Sequence, residues 1–170
     1  RQLRAAIVAA RITKYNVGNE RWQRPAGAAR VILVPGQVEA DASIRLGAPR
    51  LHTNNGLLHA VRAAHPDAYV VYKPHPDVLA GMRAGGDTPD CNALVGDVPM
   101  ARLLDEVDEV HTLTSLAGFE ALLRGKRVVT YGRRAPAAKS NKGKAVSGPP
   151  ISSQAFSARS PWAIAPLPRS

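Results

Sequence analysis

Four short runs recur along the chain: Val31-Ile-Leu-Val34, Tyr69-Val-Val-Tyr72, Val110-His-Thr-Leu113 and Val128-Val-Thr-Tyr131. Each is rich in β-branched or aromatic residues, and turn residues close most of them: Pro35-Gly36, Lys73-Pro-His-Pro76 and Gly132. Runs apolar at successive positions describe strands covered on both faces, and helical patterns between them describe crossovers. Strand-helix-strand repetition gives a parallel sheet with right-handed connections. The expected fold is therefore α/β, a Rossmann-like parallel sheet with flanking helices.

The connecting patterns set the expected helices. Residues 2–12 carry apolar groups at helical spacing that Asn16 and Gly18 would end, and 19–29 form a polar connector. A loop follows Gly36, after which Asn54 or Asn55 caps a helix over Leu57, Leu58, Val61 and Ala64. A short helix over 77–84, a Gly85-Gly86 loop, a weak strand at 93–95 and a helix from Met100 to Val107 come next. Ser115 then caps a helix that Gly125 ends.

Composition bounds the rest. With 170 residues and 45% apolar side chains, the chain suits one folded domain. One cysteine, Cys91, excludes an internal disulfide, and no Cys/His cluster has zinc-ligand spacing, so no metal is expected. No apolar run reaches the roughly 18 residues of a membrane span, and no signal pattern opens the chain, so a cytoplasmic setting is expected. The net charge of +10 suggests nucleic acid until it is divided: residues 133–170 hold seven Lys/Arg and no Asp/Glu. Most of the excess thus lies outside the folded pattern, and no nucleic-acid partner is expected. Two regions result, a half domain over 1–132 and a basic Ala/Ser/Pro-rich tail over 133–170, either a flexible extension or an out-of-frame product. Because Arg1 opens a helix already under way, the chain reads as part of something longer.

In an open parallel sheet ligands bind beyond the carboxyl ends of the strands, so residues just after each run carry the functional interest. After the first run, Gln37, Glu39 and Asp41 crowd two carboxylates into one loop, which serves nucleophilic or general-base chemistry at a sugar centre as well as an ordinary acidic loop. After the second, Lys73-Pro-His75-Pro fixes one cation and one imidazole between two prolines, suited to a phosphate or simply a stiff turn. After the run Val110–Leu113, Thr114, Ser115 and Gly118 open a helix whose amide groups and dipole favour an anion, although capping alone accounts for Ser115. Glu120, in the first turns, could reach a ribose hydroxyl or merely favour the dipole. His111 falls inside a strand and reads as a core position; His52, His59 and His65 flank a helix as ordinary polar residues.

Three segments in register carry a resemblance: Val-Pro-Gly-Gln-Val-Glu-Ala-Asp-Ala-Ser-Ile (34–44), Tyr-Lys-Pro-His-Pro-Asp-Val (72–78) and Asp-Glu-Val-His-Thr-Leu-Thr-Ser-Leu-Ala-Gly-Phe-Glu-Ala-Leu-Leu-Arg-Gly-Lys (108–126). Residues 1–132 resemble the bacterial capsule polysaccharide synthesis proteins, retaining β-Kdo transferases that build the oligo-Kdo linker of capsular polysaccharide. The resemblance implies the donor-binding half of a GT-B glycosyltransferase, with CMP-Kdo as donor substrate, no separate cofactor and a lipid-linked Kdo acceptor. It implies Asp41 as nucleophile, Gln37 and Glu39 orienting a substrate, Lys73 and His75 at the CMP phosphate, and Thr114, Ser115, Gly118 and Glu120 completing the nucleotide site. It further implies a separate N-terminal acceptor domain and work beside the capsule assembly complex at the inner membrane face. The family's aromatic segment after Gly132 is replaced here by Arg133-Arg-Ala-Pro, so the fragment is expected to be inactive alone. A UDP-sugar GT-B enzyme and a noncatalytic capsule assembly or export partner are the competing readings.

Overall fold

The computed structural model describes residues 2–14, 16–77 and 90–132, together with the backbone of 162–164. Its centre is β1 (Val31–Pro35), buried along its whole length, as a run apolar on both faces requires. On one side β1 pairs in parallel with β2 (Tyr69–Lys73), which pairs with the two-residue β3 (Ala93–Leu94). On the other it pairs with β4 (Glu109–Thr112), and β4 with β5 (Arg127–Thr130). All of these pairings are parallel, so the expected α/β Rossmann-like architecture is the observed one. A further parallel strand, β6 (Trp162–Ile164), lies along β5 and gives the sheet order β3-β2-β1-β4-β5-β6. Those three residues belong to the stretch read as a tail without elements; residues 133–161 and 165–170, like the helix expected over 77–84 apart from its first residue and the Gly85-Gly86 loop, lie outside the described residues.

Side chains alternate across the strands into two cores. Val31, Leu33, Val71, Val110 and Val128 meet α4 (Met100–Glu106) and α5 (Leu116–Leu123) through Leu103, Leu104, Ala117 and Ala121. On the opposite face Ile32, Val34, Val70, Tyr72 and Val129 meet α2 (Ala42–Gly47) and α3 (Asn54–Ala64) through Ile44, Leu57, Leu58 and Val61. At Gly118 α5 lies close against the sheet: a β-carbon there would stand 3.3 Å from both Thr112 Cγ2 and Val128 Cγ1.

Three local expectations are corrected. The first helix, α1 (Gln2–Ala9), stops three residues earlier than its apolar pattern, because Arg11 takes a left-handed conformation (φ 51°) and Ile12 N–H closes back onto the Ile7 carbonyl. The stretch after Gly36 is not all loop: Asp41 caps the short α2, accepting from Ser43 N–H at 2.7 Å. The cap of α3 is Thr53, whose hydroxyl accepts from Gly56 N–H, rather than Asn54 or Asn55. Thr53→Ala is accordingly expected to lower stability in urea unfolding by about 1 kcal/mol, with Asn55→Ala nearly neutral; equal losses would return the cap to Asn55.

Candidate functional site

The strand order reverses between β1 and β4, the place where an open parallel sheet leaves a crevice beyond its strand ends. The residues immediately after these two strands meet there. Gln37 Nε2 donates to Thr114 Oγ1 at 2.9 Å, while Gln37 Oε1 accepts from Thr112 Oγ1 and Thr114 N–H, each at 3.1 Å. Thr114 Oγ1 also donates to Ser43 Oγ of α2 at 3.3 Å. One glutamine amide thus ties the β1 loop to the β4 loop through three hydrogen bonds.

Around this bridge opens a cleft of about 480 Å³, within the size range of small-ligand pockets. The β1 loop supplies Gly36, Gln37, Val38 and Asp41; the β2 loop supplies Lys73 through Pro76; the start of α5 supplies Thr114, Ser115 and Leu116; Glu120 also faces it. The N-terminal segment closes one side with Lys14 and Val17. It is held there by Lys14 N–H donating to Glu120 Oε1 at 2.7 Å and by Glu20 N–H donating to the Asp97 carbonyl at 3.0 Å. Gly18 makes this crossing possible, since it has φ +114° and a side chain would overlap the Asp97 carbonyl.

Most of the expected site residues therefore face one cleft, and two do not. Asp41 sits at its edge, exposed, its carboxyl held below the usual range by the Ser43 amide and hydroxyl, with Lys14 acting in the same direction. Lys73 is buried, its ammonium donating to the Gly96 carbonyl at 2.9 Å; loss of water pushes it below the ordinary lysine range while Asp97 opposes that shift. His75 Nδ1 lies 3.3 Å from Asp77 N–H and 3.6 Å from the Asp77 carboxylate, so the Asp77 side of the ring is held by the turn that follows. Ser115 caps α5 by accepting from Ala117 N–H at 3.2 Å, and its own N–H donates to Thr112 Oγ1. Gly118 and Glu39 lie apart from the lining: the glycine serves helix-sheet packing, and the Glu39 carboxylate faces the start of α3.

Two features escaped the sequence. Asn54, buried beside Gln37 and Glu39, is part of the loop's support, and no local spacing announces a partner so far away in the chain. At the opposite, amino edge of the sheet, His65, Glu109 and His111 bring their ligand atoms within 4.8 Å of one another. His111 Nε2 faces Glu109 Oε2 at 3.2 Å and Nδ1 faces Tyr131 Oη at 3.1 Å. The two histidine rings meet edge to face at 5.2 Å. Arg30 and Arg127 lie 3.5 and 3.2 Å from Glu109 Oε1, so two cations already balance this carboxylate and oppose a third. His65 is thus a half-buried member of a network, not an ordinary polar position.

Residues 3–137 match the family described as capsule polysaccharide biosynthesis protein. The chain belongs to that family. The match ends close to Gly132, where the composition changes. Among capsule proteins, the chain is 52% identical over 126 residues to the capsule polysaccharide modification protein LipA of Neisseria meningitidis serogroup A, covering 71% of this chain and 18% of LipA. It is 43% identical over 139 residues to the lipopolysaccharide-processing protein LpsZ of Rhizobium meliloti, covering 78% of this chain and 32% of LpsZ. The capsule-family chain therefore spans about a fifth to a third of the curated relatives it matches. In structure it resembles KpsC of Thermosulfurimonas dismutans, in its β-Kdo 2,7 transferase (TM-score 0.56, 38% identity, 77% of this chain and 40% of that one). It also resembles the β-Kdo 2,4 transferase of KpsC (TM-score 0.64, 25% identity, 77% and 43%).

Proposed function

We propose that this chain is the donor-binding half of a GT-B glycosyltransferase of capsule synthesis, taking Kdo from CMP-Kdo for transfer to a lipid-linked Kdo acceptor. The observation that carries the reading is the convergence of Asp41, Lys73, His75 and the start of α5 on one cleft at the switch point of the sheet. The likeness to the two KpsC β-Kdo transferases supports the sugar.

In this reading the cleft receives the nucleotide with its phosphate toward the β2 loop. The His75 imidazole and the ammonium of Lys73 offset the phosphate charge, assisted by the positive end of α5, so the leaving group needs no metal in this scheme. The Asp41 carboxylate, kept ionised by the Ser43 amide, attacks the anomeric carbon; the carbon–oxygen bond forms as CMP departs with the bonding electrons. An acceptor hydroxyl then displaces the Asp41 carboxylate, its proton passing to water as the new carbon–oxygen bond forms, and the two inversions return the original anomeric configuration. The second step requires an acceptor held opposite this cleft, the task of a further domain in a longer protein working at the cytoplasmic face of the inner membrane.

Calorimetric titration of CMP, with UMP as competitor, tests the reading on the folded chain. Selective CMP binding, weakened about tenfold or more in His75→Ala, is the expected result. Equal affinity for UMP would favour a UDP-sugar donor, and folded protein that binds neither nucleotide would overturn the donor assignment in favour of a scaffold.

A further inference from the structure

Asn54 is the first residue of α3 and is 6% exposed, yet it neither caps its helix nor packs as an apolar residue would. Its carboxamide reads one residue of the neighbouring loop from both sides. Oδ1 accepts from Gln37 N–H at 2.9 Å and Nδ2 donates to the Gln37 carbonyl at 2.9 Å. The second Nδ2 proton goes to Glu39 Oε1 at 3.1 Å, and Asn54 N–H donates to the same oxygen at 2.6 Å. Both amide protons are thereby spent on the loop that joins β1 to α2. Asparagine suits the place because it offers a donor and an acceptor on a short stem: aspartate has no donor, and glutamine is a methylene longer.

The loop is consequently pinned at alternate residues. Gln37 reaches across to Thr112 and Thr114, Glu39 turns back to α3, and Asp41 closes onto Ser43. Glu39 is exposed, and its carboxylate points its hydrogen bonding at Asn54 and not at the cleft. We infer that Asn54, with Glu39, is a positioning residue of the cleft: the pair fixes the path of the β1–α2 loop and so holds Asp41 against the Ser43 amide. Glu39 moves by this argument from the group expected to touch substrate to the group that supports it. What Asp41 does when so held rests on the reading under Proposed function; the pinning itself does not.

The test is nuclear magnetic resonance of the full 170-residue chain, following the Asp41 carboxyl carbon through a pH titration and the exchange of the Gln37 and Ser43 amides. In Asn54→Ala the Gln37 amide exchanges about tenfold faster or more, and the Asp41 midpoint rises toward the ordinary 3.8. Should that variant not fold, Glu39→Ala decides, because its side chain is exposed: the Asp41 midpoint rises there too, while Glu39→Gln, which keeps the accepting oxygen, behaves as wild type. Asp41 and Ser43 signals in Glu39→Ala that superimpose on wild type would overturn the inference, leaving Asn54 a packing residue. A CMP titration of the unsubstituted chain keeps the two ideas apart: no CMP binding there, with a shifted Asp41 in Glu39→Ala, sinks the donor reading alone.

Discussion

Alanine at position 36 is expected to destabilise the fold by about 2–3 kcal/mol and to weaken CMP binding about tenfold or more. Gly36 follows β1 directly, and its N–H donates to the Lys73 carbonyl at 2.8 Å, so the main chains leaving β1 and β2 are drawn together at this point. A β-carbon there would stand 2.7 Å from Tyr72 Oη, 3.0 Å from Pro74 Cα and 3.1 Å from His75 N. Two of those three neighbours are backbone atoms of a loop stiffened by prolines on either side of His75, which cannot yield as a side chain does. The displacement passes straight to the imidazole and to the cleft wall. Urea unfolding gives the first quantity and calorimetry of the folded variant the second; unchanged CMP affinity in a destabilised variant would mean that the Lys-Pro-His-Pro loop does not govern the nucleotide.

The second large effect lies at the far edge of the sheet. Glu109→Ala is expected to cost about 2 kcal/mol, seen in urea unfolding, below the full penalty for breaking a buried pair because Arg30 and Arg127 can turn to water. Their side chains are 48% and 55% exposed, whereas that of Glu109 is 5% exposed. The same network sets the response to acid. Burial, above all, pushes His111 below its ordinary 6.5, and burial also lowers His65, so both are neutral in the fold and take up protons on unfolding. Glu109 is lowered in spite of its burial, by the hydrogen bond to His111 and the charges of Arg127 and Arg30. A depressed histidine destabilises the fold as pH falls below its unfolded value, and a depressed carboxyl loses its contribution as pH falls through its folded value. The two act in one direction. The melting temperature should therefore fall as pH drops below about 6.5 and keep falling through the carboxyl range, with the lower part of that fall reduced in Glu109→Ala. A melting temperature flat from pH 7 to pH 5 would remove the histidines from this account.

The four long strands of the central sheet were readable because apolar side chains are buried on both of their faces: Val31 to Val34 form a continuous apolar run whichever face is counted. The carboxyl-edge location of the cleft followed from the sheet type, and Lys73, His75, Thr114 and Ser115 were found at strand ends where the topology places them. Other features depend on contacts invisible to local spacing. The helix α2 has one buried residue, Ile44, too few to mark a period, and its Asp41 cap read only as a carboxylate in a loop. Asn54 has the side chain of a cap, but Gln37 and Glu39 claim it, leaving Thr53 to close the helix. His65, Glu109 and His111 come from two elements more than forty residues apart in the chain, so no ligand spacing could reveal them.

The walls of the cleft are drawn from opposite ends of the described fold. Lys14 meets Glu120 across 106 positions, and Gln37 meets Thr114 across 77. Loop closure on that scale is costly before the sheet has formed. A chain emerging residue by residue thus carries the residues of β1, β2 and their helices well before it carries a binding site, because that site is incomplete until β4 lies beside β1 and brings Thr114 to Gln37. Any piece ending before β4 lacks one wall of the crevice.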